Sequence, residues 1–221
     1  MNTRKCHIEV AMNYSELKTA IQDYTQTSES SFVTNIDTFI GQAETRIFFD
    51  IDLPDFRKAA TGTTSDGTTY LSKPSDLFSV LSLARISSGN EYTYLLPKDV
   101  SFIREAYPDT DVKGAPEHYA HFDDSFFILG PVPDAAYTIQ INYKSRPIQL
   151  SSTNTTTWLS TNAEAALLYA TLVEAYTYLK GEEDIMRFYD TRYKEALASL
   201  ARYSMQDVNS DNYRNGVRRS A

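Results

Sequence analysis

The residues best suited to chemistry are gathered in His118-Tyr119-Ala120-His121-Phe122-Asp123-Asp124. Two imidazoles beside two carboxylates are the donor types of a zinc site. They are also the groups of a small hydrolase using Asp123 or Asp124 with His121, provided they converge in a cleft. Spacing argues against the metal. On a strand, residues three apart point to opposite faces, so His118 and His121 meet one ion only if the segment turns. A solvated strand edge is the simpler account. Asp50-Ile51-Asp52-Leu53-Pro54-Asp55 has part of a calcium loop but lacks its glycine and distal glutamate, so a polar helix end is expected there. Cys6 is the single cysteine. It excludes an intrachain disulfide and a thiolate zinc cluster, and it sits in an arm where a nucleophile is hard to pre-organise. Asn154-Thr155-Thr156 fits a glycosylation sequon, although nothing routes the chain through a secretory pathway. The sequence has no G-x-S-x-G, Walker A, H-E-x-x-H or G-x-G-x-x-G motif. No catalytic residue, cofactor or metal is expected.

The elements around these residues are organised by the stretch 161–205, which has the pattern of two helices folded back on each other. Thr161-Asn162-Ala163-Glu164 has the form of a capping box. Leu168, Leu172, Ala175 and Leu179 follow at helical spacing on one face. Lys180-Gly181 closes the helix, the glycine suiting a left-handed position. Glu182-Glu183-Asp184 opens the next helix at the positive end of its dipole. Ile185, Tyr189, Tyr193, Ala196, Leu200 and Tyr203 continue the apolar stripe, and so short a joint makes the pair antiparallel. Upstream, Leu17, Ala20, Ile21 and Tyr24 predict a short helix from Tyr14. A second helix carries Phe32, Val33, Ile36, Phe39, Ile40, Ala43 and Ile47, with Ser30 or Ser31 as its N-cap, and ends by Leu53-Pro54.

Between the helix pairs, residues 56–150 are rich in Thr, Ser, Tyr, Gly and Pro, with apolar runs of strand length. Strands are predicted over 57–60, 69–71, 77–86, 91–96, 119–122, 125–129 and 137–144, with a short helix within 97–107. Tyr137, Ile139, Ile141 and Tyr143 alternate with polar residues, so that strand buries one face. The expected fold is α+β: an antiparallel four-helix bundle, two N-terminal and two C-terminal helices, with a small antiparallel β insertion between the pairs. The segments are an N-terminal arm (1–12), a helix pair (13–55), the β-rich insertion (56–150), the C-terminal hairpin (151–205) and a flexible tail (206–221). Phe32, Ile36, Phe39, Leu168, Leu172, Ile185, Tyr193 and Leu200 are expected to share one bundle core.

The chain has 221 residues, of which 42% are hydrophobic and 23% charged, which is ordinary for a soluble globular protein. Its 16 Tyr and 11 Phe are less ordinary. They suit either an aromatic-rich core or the contact surfaces of an assembly. A net charge of −8 argues against broad adhesion to DNA phosphates, yet it allows an acidic wall along which DNA slides. No apolar run approaches a membrane span, and the N-terminus lacks a signal h-region. Assembly in a reducing cytoplasm, with no membrane partner, is expected.

Taken in order, three stretches resemble the adaptor proteins of tailed bacteriophages, also called head-completion, head-to-tail connector or tail tubular A-type proteins. The first is Met12-Asn13-Tyr14-Ser15-Glu16-Leu17 to Ile21-Gln22-Asp23-Tyr24-Thr25, with Phe32-Val33-Thr34-Asn35-Ile36 and Phe39-Ile40-Gly41-Gln42-Ala43-Glu44-Thr45-Arg46-Ile47. The second is Phe127-Ile128-Leu129-Gly130-Pro131-Val132-Pro133-Asp134 leading into Tyr137-Thr138-Ile139-Gln140-Ile141-Asn142-Tyr143. The third is Trp158-Leu159-Ser160-Thr161-Asn162 running into the hairpin. The resemblance starts near Met12, so residues 1–11 look like an addition. It implies a virion protein at the head–tail interface: a ring, usually twelvefold, beneath the portal, facing the tail tube or nozzle and lining the channel that genomic DNA crosses non-specifically. Tyr92, Tyr94 and Tyr119 are then expected at subunit or tail-protein contacts, and Tyr213, Arg214, Arg218 and Arg219 of the tail at the portal. The competing classes are the carboxylate/His hydrolase and a free protein-binding module.

Overall fold

Asn13 sets the first helix: its side chain accepts from Glu16 N at 3.0 Å, and Glu16 accepts from Asn13 N at 2.8 Å. Two otherwise orphaned donors are thus satisfied reciprocally. A computed structural model describes residues 12–209, with side chains placed as far as residue 202. In chain order the elements begin with α1 (Tyr14–Thr25), α2 (Ser30–Asp50), β1 (Arg57–Thr63), β2 (Tyr70–Ser72), β3 (Leu77–Ile86), β4 (Tyr92–Tyr94), β5 (Leu96–Pro97) and α3 (Val100–Ala106). They continue with β6 (Lys113–Gly114), β7 (His118–His121), β8 (Phe126–Gly130), β9 (Val132–Pro133), β10 (Thr138–Ser145), α4 (Trp158–Asn162), α5 (Glu164–Tyr178) and α6 (Glu183–Asn209). One compact unit holds the residues up to Leu53 and from Ile148 onward; the other is Pro54–Pro147.

In the helical unit α5 packs against α1, α2 and α6. Its sequence explains this, because Ala166, Leu167, Leu168, Ala170, Thr171, Leu172 and Ala175 are all buried and do not fit on one narrow stripe. A helix apolar on several sides needs several neighbours. Thr171, buried among them, donates its hydroxyl to Leu167 O at 2.7 Å and leaves no polar group unsatisfied. Of the residues expected in the bundle core, Phe32, Ile36, Phe39, Leu168, Leu172, Tyr193 and Leu200 are buried, and Ile185 is half-buried.

Local chemistry departs from expectation at three places. The capping box lies one turn upstream of Thr161: Thr157 accepts from Ser160 N at 3.2 Å, and Ser160 Oγ accepts from Thr157 N at 2.9 Å. That cap starts α4, and α5 begins after Ala163 with no side-chain cap. Neither Ser30 nor Ser31 is an N-cap, since α2 already includes both and Glu29 precedes it without a capping bond. After α5 the left-handed residue is Lys180, with φ 52°, not Gly181. Gly181 is required by crowding instead, because a Cβ there would lie 2.7 Å from the Tyr176 ring.

The β unit overturns the expected four-helix bundle with a small antiparallel insertion. The described residues contain six helices and ten strands in three sheets, an α+β fold with substantial sheet. One four-stranded sheet runs β1-β10-β3-β4 and another β2-β8-β7-β5, with β6-β9 as a separate pair. Two pairings, β5 with β7 and β6 with β9, are parallel. The two larger sheets share a core: Leu83, Ile139, Ile141 and Tyr143 from the first meet Leu71, Tyr119, Phe127 and Leu129 from the second. Two sheets, each apolar on one face, bury those faces on each other. Gly130 ends β8 where a Cβ would stand 2.6 Å from the Tyr107 ring, a close approach open only to glycine.

A buried acid ties the returning chain to α2. Glu44, 4% exposed, accepts from Leu150 N at 2.9 Å and from the Thr157 hydroxyl at 3.3 Å. Burial pushes its carboxyl up to about 7, against the opposing pull of these two donors. The folded state therefore holds a proton in the window from about 4.5 to 7 that the unfolded chain has released. This group's contribution is fully present at the acid end of the window and is lost as pH rises through the folded value. Glu44→Gln, which keeps an acceptor and a donor, should be more stable than wild type at pH 8 by on the order of 1–3 kcal/mol, with the difference vanishing near pH 5. Urea titration across that range measures it. Leu172→Ala, at a site with no exposure, should cost about 2–5 kcal/mol by the same measurement.

Candidate interaction surfaces

The His-Asp segment forms β7 and the turn after it, and the fold separates its groups. His118 and His121 are three apart on β7, hence on opposite faces. His118 Nδ1 lies 2.9 Å from Tyr107 Oη, with Phe102 packed on its ring. His121 packs edge-on to Phe127 at 5.1 Å, where burial, and then the Lys73 charge, hold its basicity down. Asp123 Oδ1 accepts from Ser125 N and Phe126 N, both at 2.7 Å, so this carboxylate closes the turn into β8. Lys73 Nζ donates to Asp123 O from across the turn. Among the described residues no group of three His, Cys, Asp or Glu is placed to hold a metal ion. The arrangement fastens a hairpin rather than assembling an acid, a base and a nucleophile.

Most of the large hydrophobic side chains left exposed are aromatic. Tyr92 and Tyr94, 54% and 62% exposed, project from β4 at the edge of the first sheet. Tyr119 is not a surface aromatic: it is 5% exposed, and its ring packs perpendicular to Phe127 at 5.7 Å in the shared core. Alternation along β7 turns it inward, which its neighbours in sequence did not reveal. A second exposed group was missed altogether. Tyr70 stands 5.0 Å from Phe122 and 6.2 Å from Phe126, and the Arg104 guanidinium lies 5.9 Å from the Phe122 ring. The pairing of β2 with β8 brings these rings together, and no local pattern announces that pairing.

In the helical unit a charge cluster unites three helices. Arg46 of α2 reaches Asp190 of α6 at 3.0 Å, Glu174 of α5 at 3.7 Å and Asp50 at 4.0 Å, with its guanidinium 4.8 Å from the Tyr193 ring. Tyr193 donates to Asp50 at 2.6 Å. Hydrogen bonding from Lys194, then Arg46, holds the Asp190 carboxyl below its ordinary range, whereas burial raises the Tyr193 phenol. The outer side of α2 carries an open groove lined by Asp37, Gly41, Thr45 and Phe49 at four-residue intervals, with Gln149 bonded to Gly41 O at 3.2 Å. Tyr213, Arg214, Arg218 and Arg219 lie outside the described residues. No helix among those described is long and apolar enough to cross a membrane.

Among the described residues His118, His121, Asp123 and Arg46 are engaged in strand, turn and helix contacts, while several rings are left on the surface, as suits a protein that works by contact. Comparison with family models gives that class its name. The SU10 adaptor protein model matches residues 12–220, and the chain belongs to that family of tailed-phage head–tail adaptors. No curated protein matches the chain.

The Arg46 cluster makes a stability prediction. Tyr193→Phe keeps the ring under the guanidinium but removes the donor to Asp50. It should lower stability by about 1.5–3 kcal/mol, the range for a bond to a charged acceptor, read from the urea midpoint at unchanged slope.

Proposed function

We propose that this adaptor forms a ring, of the twelvefold kind its resemblance implies, that joins the portal of a phage head to the tail tube or nozzle. In this reading genomic DNA passes through the ring's channel at ejection. The observation that carries it is the family match across residues 12–220. Physical chemistry supports the details. A net charge of −8 suits a wall that DNA phosphates slide along without adhering. Exposed Tyr92 and Tyr94 suit protein contacts, since tyrosine combines a large apolar face with a polar tip.

The C-terminal segment is the proposed portal anchor. Tyr213, Arg214, Arg218 and Arg219 belong to the residue types that most often dominate binding energy, and guanidinium groups match acidic or carbonyl-lined grooves. Deleting residues 210–221 tests this part. The truncated chain should keep the thermal unfolding of the full chain and lose binding to the phage's portal in a sedimentation assay. Undiminished portal binding by the truncated chain would make the segment a bystander.

A further inference from the structure

The sheet β1-β10-β3-β4 has two open edges. Its three ladders are all antiparallel, so its four strands alternate in direction and the edge strands β1 and β4 run opposite ways. Copies set side by side in one orientation then bring β4 of one against β1 of the next in antiparallel sense, the pairing this sheet already uses. An odd number of strands would set these edges parallel.

The backbone groups facing each edge follow from the ladders. Thr64 N donates to Tyr137 O at 3.0 Å, so residues 60 and 62 also bond inward to β10. The amides and carbonyls of Ala59, Thr61 and Thr63 therefore face away from the sheet. At the other edge, Ser87 N donates to Glu91 O and Leu95 N to Leu83 O, both at 2.9 Å. Glu91, Thr93 and Leu95 thus bond inward, and the backbones of Tyr92 and Tyr94 face outward. Among the described residues no further strand is hydrogen-bonded to either edge.

Side chains match as well. Tyr94 opposes Ala84, Ala84 opposes Gln140, and Gln140 opposes Thr61, so Tyr94 and Thr61 lie on the same sheet face. On that face one edge presents two large exposed rings and the other presents alanine and threonines, also exposed. Aromatic rings over small or β-branched residues are favourable cross-strand pairs. Lys58, the kind of charge that guards an edge strand, is drawn back to Asp76, in the turn before β3, at 2.7 Å.

We infer that β4 of one copy adds onto β1 of a second copy, with Tyr92 and Tyr94 packed on Ala59, Thr61 and Thr63. Two different patches meet in this contact, so it is heterologous and can close into a ring. The place of the contact in a portal-bound ring rests on the adaptor reading; the pairing itself rests on the sheet.

The test uses the full chain with Cys6→Ser, Thr61→Cys and Tyr94→Cys, treated with a short bis-maleimide, alone and mixed with the phage's portal. Covalent species beyond the dimer are expected, since each copy offers both partners, and chains with either new cysteine alone should give none. Adding Ala59→Pro, which removes only an outward amide of β1, should cut the ladder at least tenfold while the circular dichroism stays unchanged. A portal-bound ring without cross-linked ladders overturns the edge pairing and leaves the adaptor reading standing. Ladders from a chain that never binds portal overturn the adaptor reading and leave the pairing. Absence of both overturns both, and ladders on the portal support both.

Discussion

The helical unit depends on covering α5. Its buried residues lie on more than one side, so neither a single partner nor water can satisfy it. Coverage comes from α1 and α2 near the start of the chain and from α6 directly after it. The remaining interactions follow from that enclosure. Arg46 and Asp190 face each other because α2 and α6 both pack on α5, and the ion cluster fixes their register. Glu44 holds the chain as it comes back, with Leu150 and Thr157 as its two donors. Neither cluster organises the unit without the apolar helix between them.

The β unit follows a different constraint. Most of its strands are short, and five of them span only two or three residues: β2, β4, β5, β6 and β9. Such strands cannot hold a sheet by their own ladders. The long strands β3 and β10 hold the first sheet, and the apolar faces of the two larger sheets bury each other. Asp123 and Lys73 then fasten the β7–β8 turn.

Periodicity made part of this legible. The long helices and β10 carry enough turns or alternations for their apolar faces to stand out, and most of the residues expected inside are buried. Short strands carry no such pattern, which is why three sheets passed for one small antiparallel insertion. Thr161 failed as a cap because Thr157 with Ser160 makes the same reciprocal bonds one turn earlier. Lys180 rather than Gly181 took the left-handed backbone because the Tyr176 ring, not φ, sets the need for glycine. Tyr119 was misplaced for want of its strand phase. The Arg46 cluster and the Tyr70-Phe122-Phe126 group join residues far apart in sequence, where local reading has no purchase. Family membership was legible because it rests on the order of segments rather than on one site.

The split composition of the helical unit also sets an order of events on the ribosome. α1 and α2 emerge ahead of the β unit, yet the helix that covers their apolar faces is made only after the whole of Pro54–Pro147. At about 5–20 residues per second that delay lasts several seconds, far longer than helix or hairpin formation takes. The β unit has time to fold while Phe32, Ile36 and Ile40 still lack their final neighbours. A nascent chain in this state shows an oily helix pair to solvent, and chaperones that shelter such surfaces bear on its yield before any partner does.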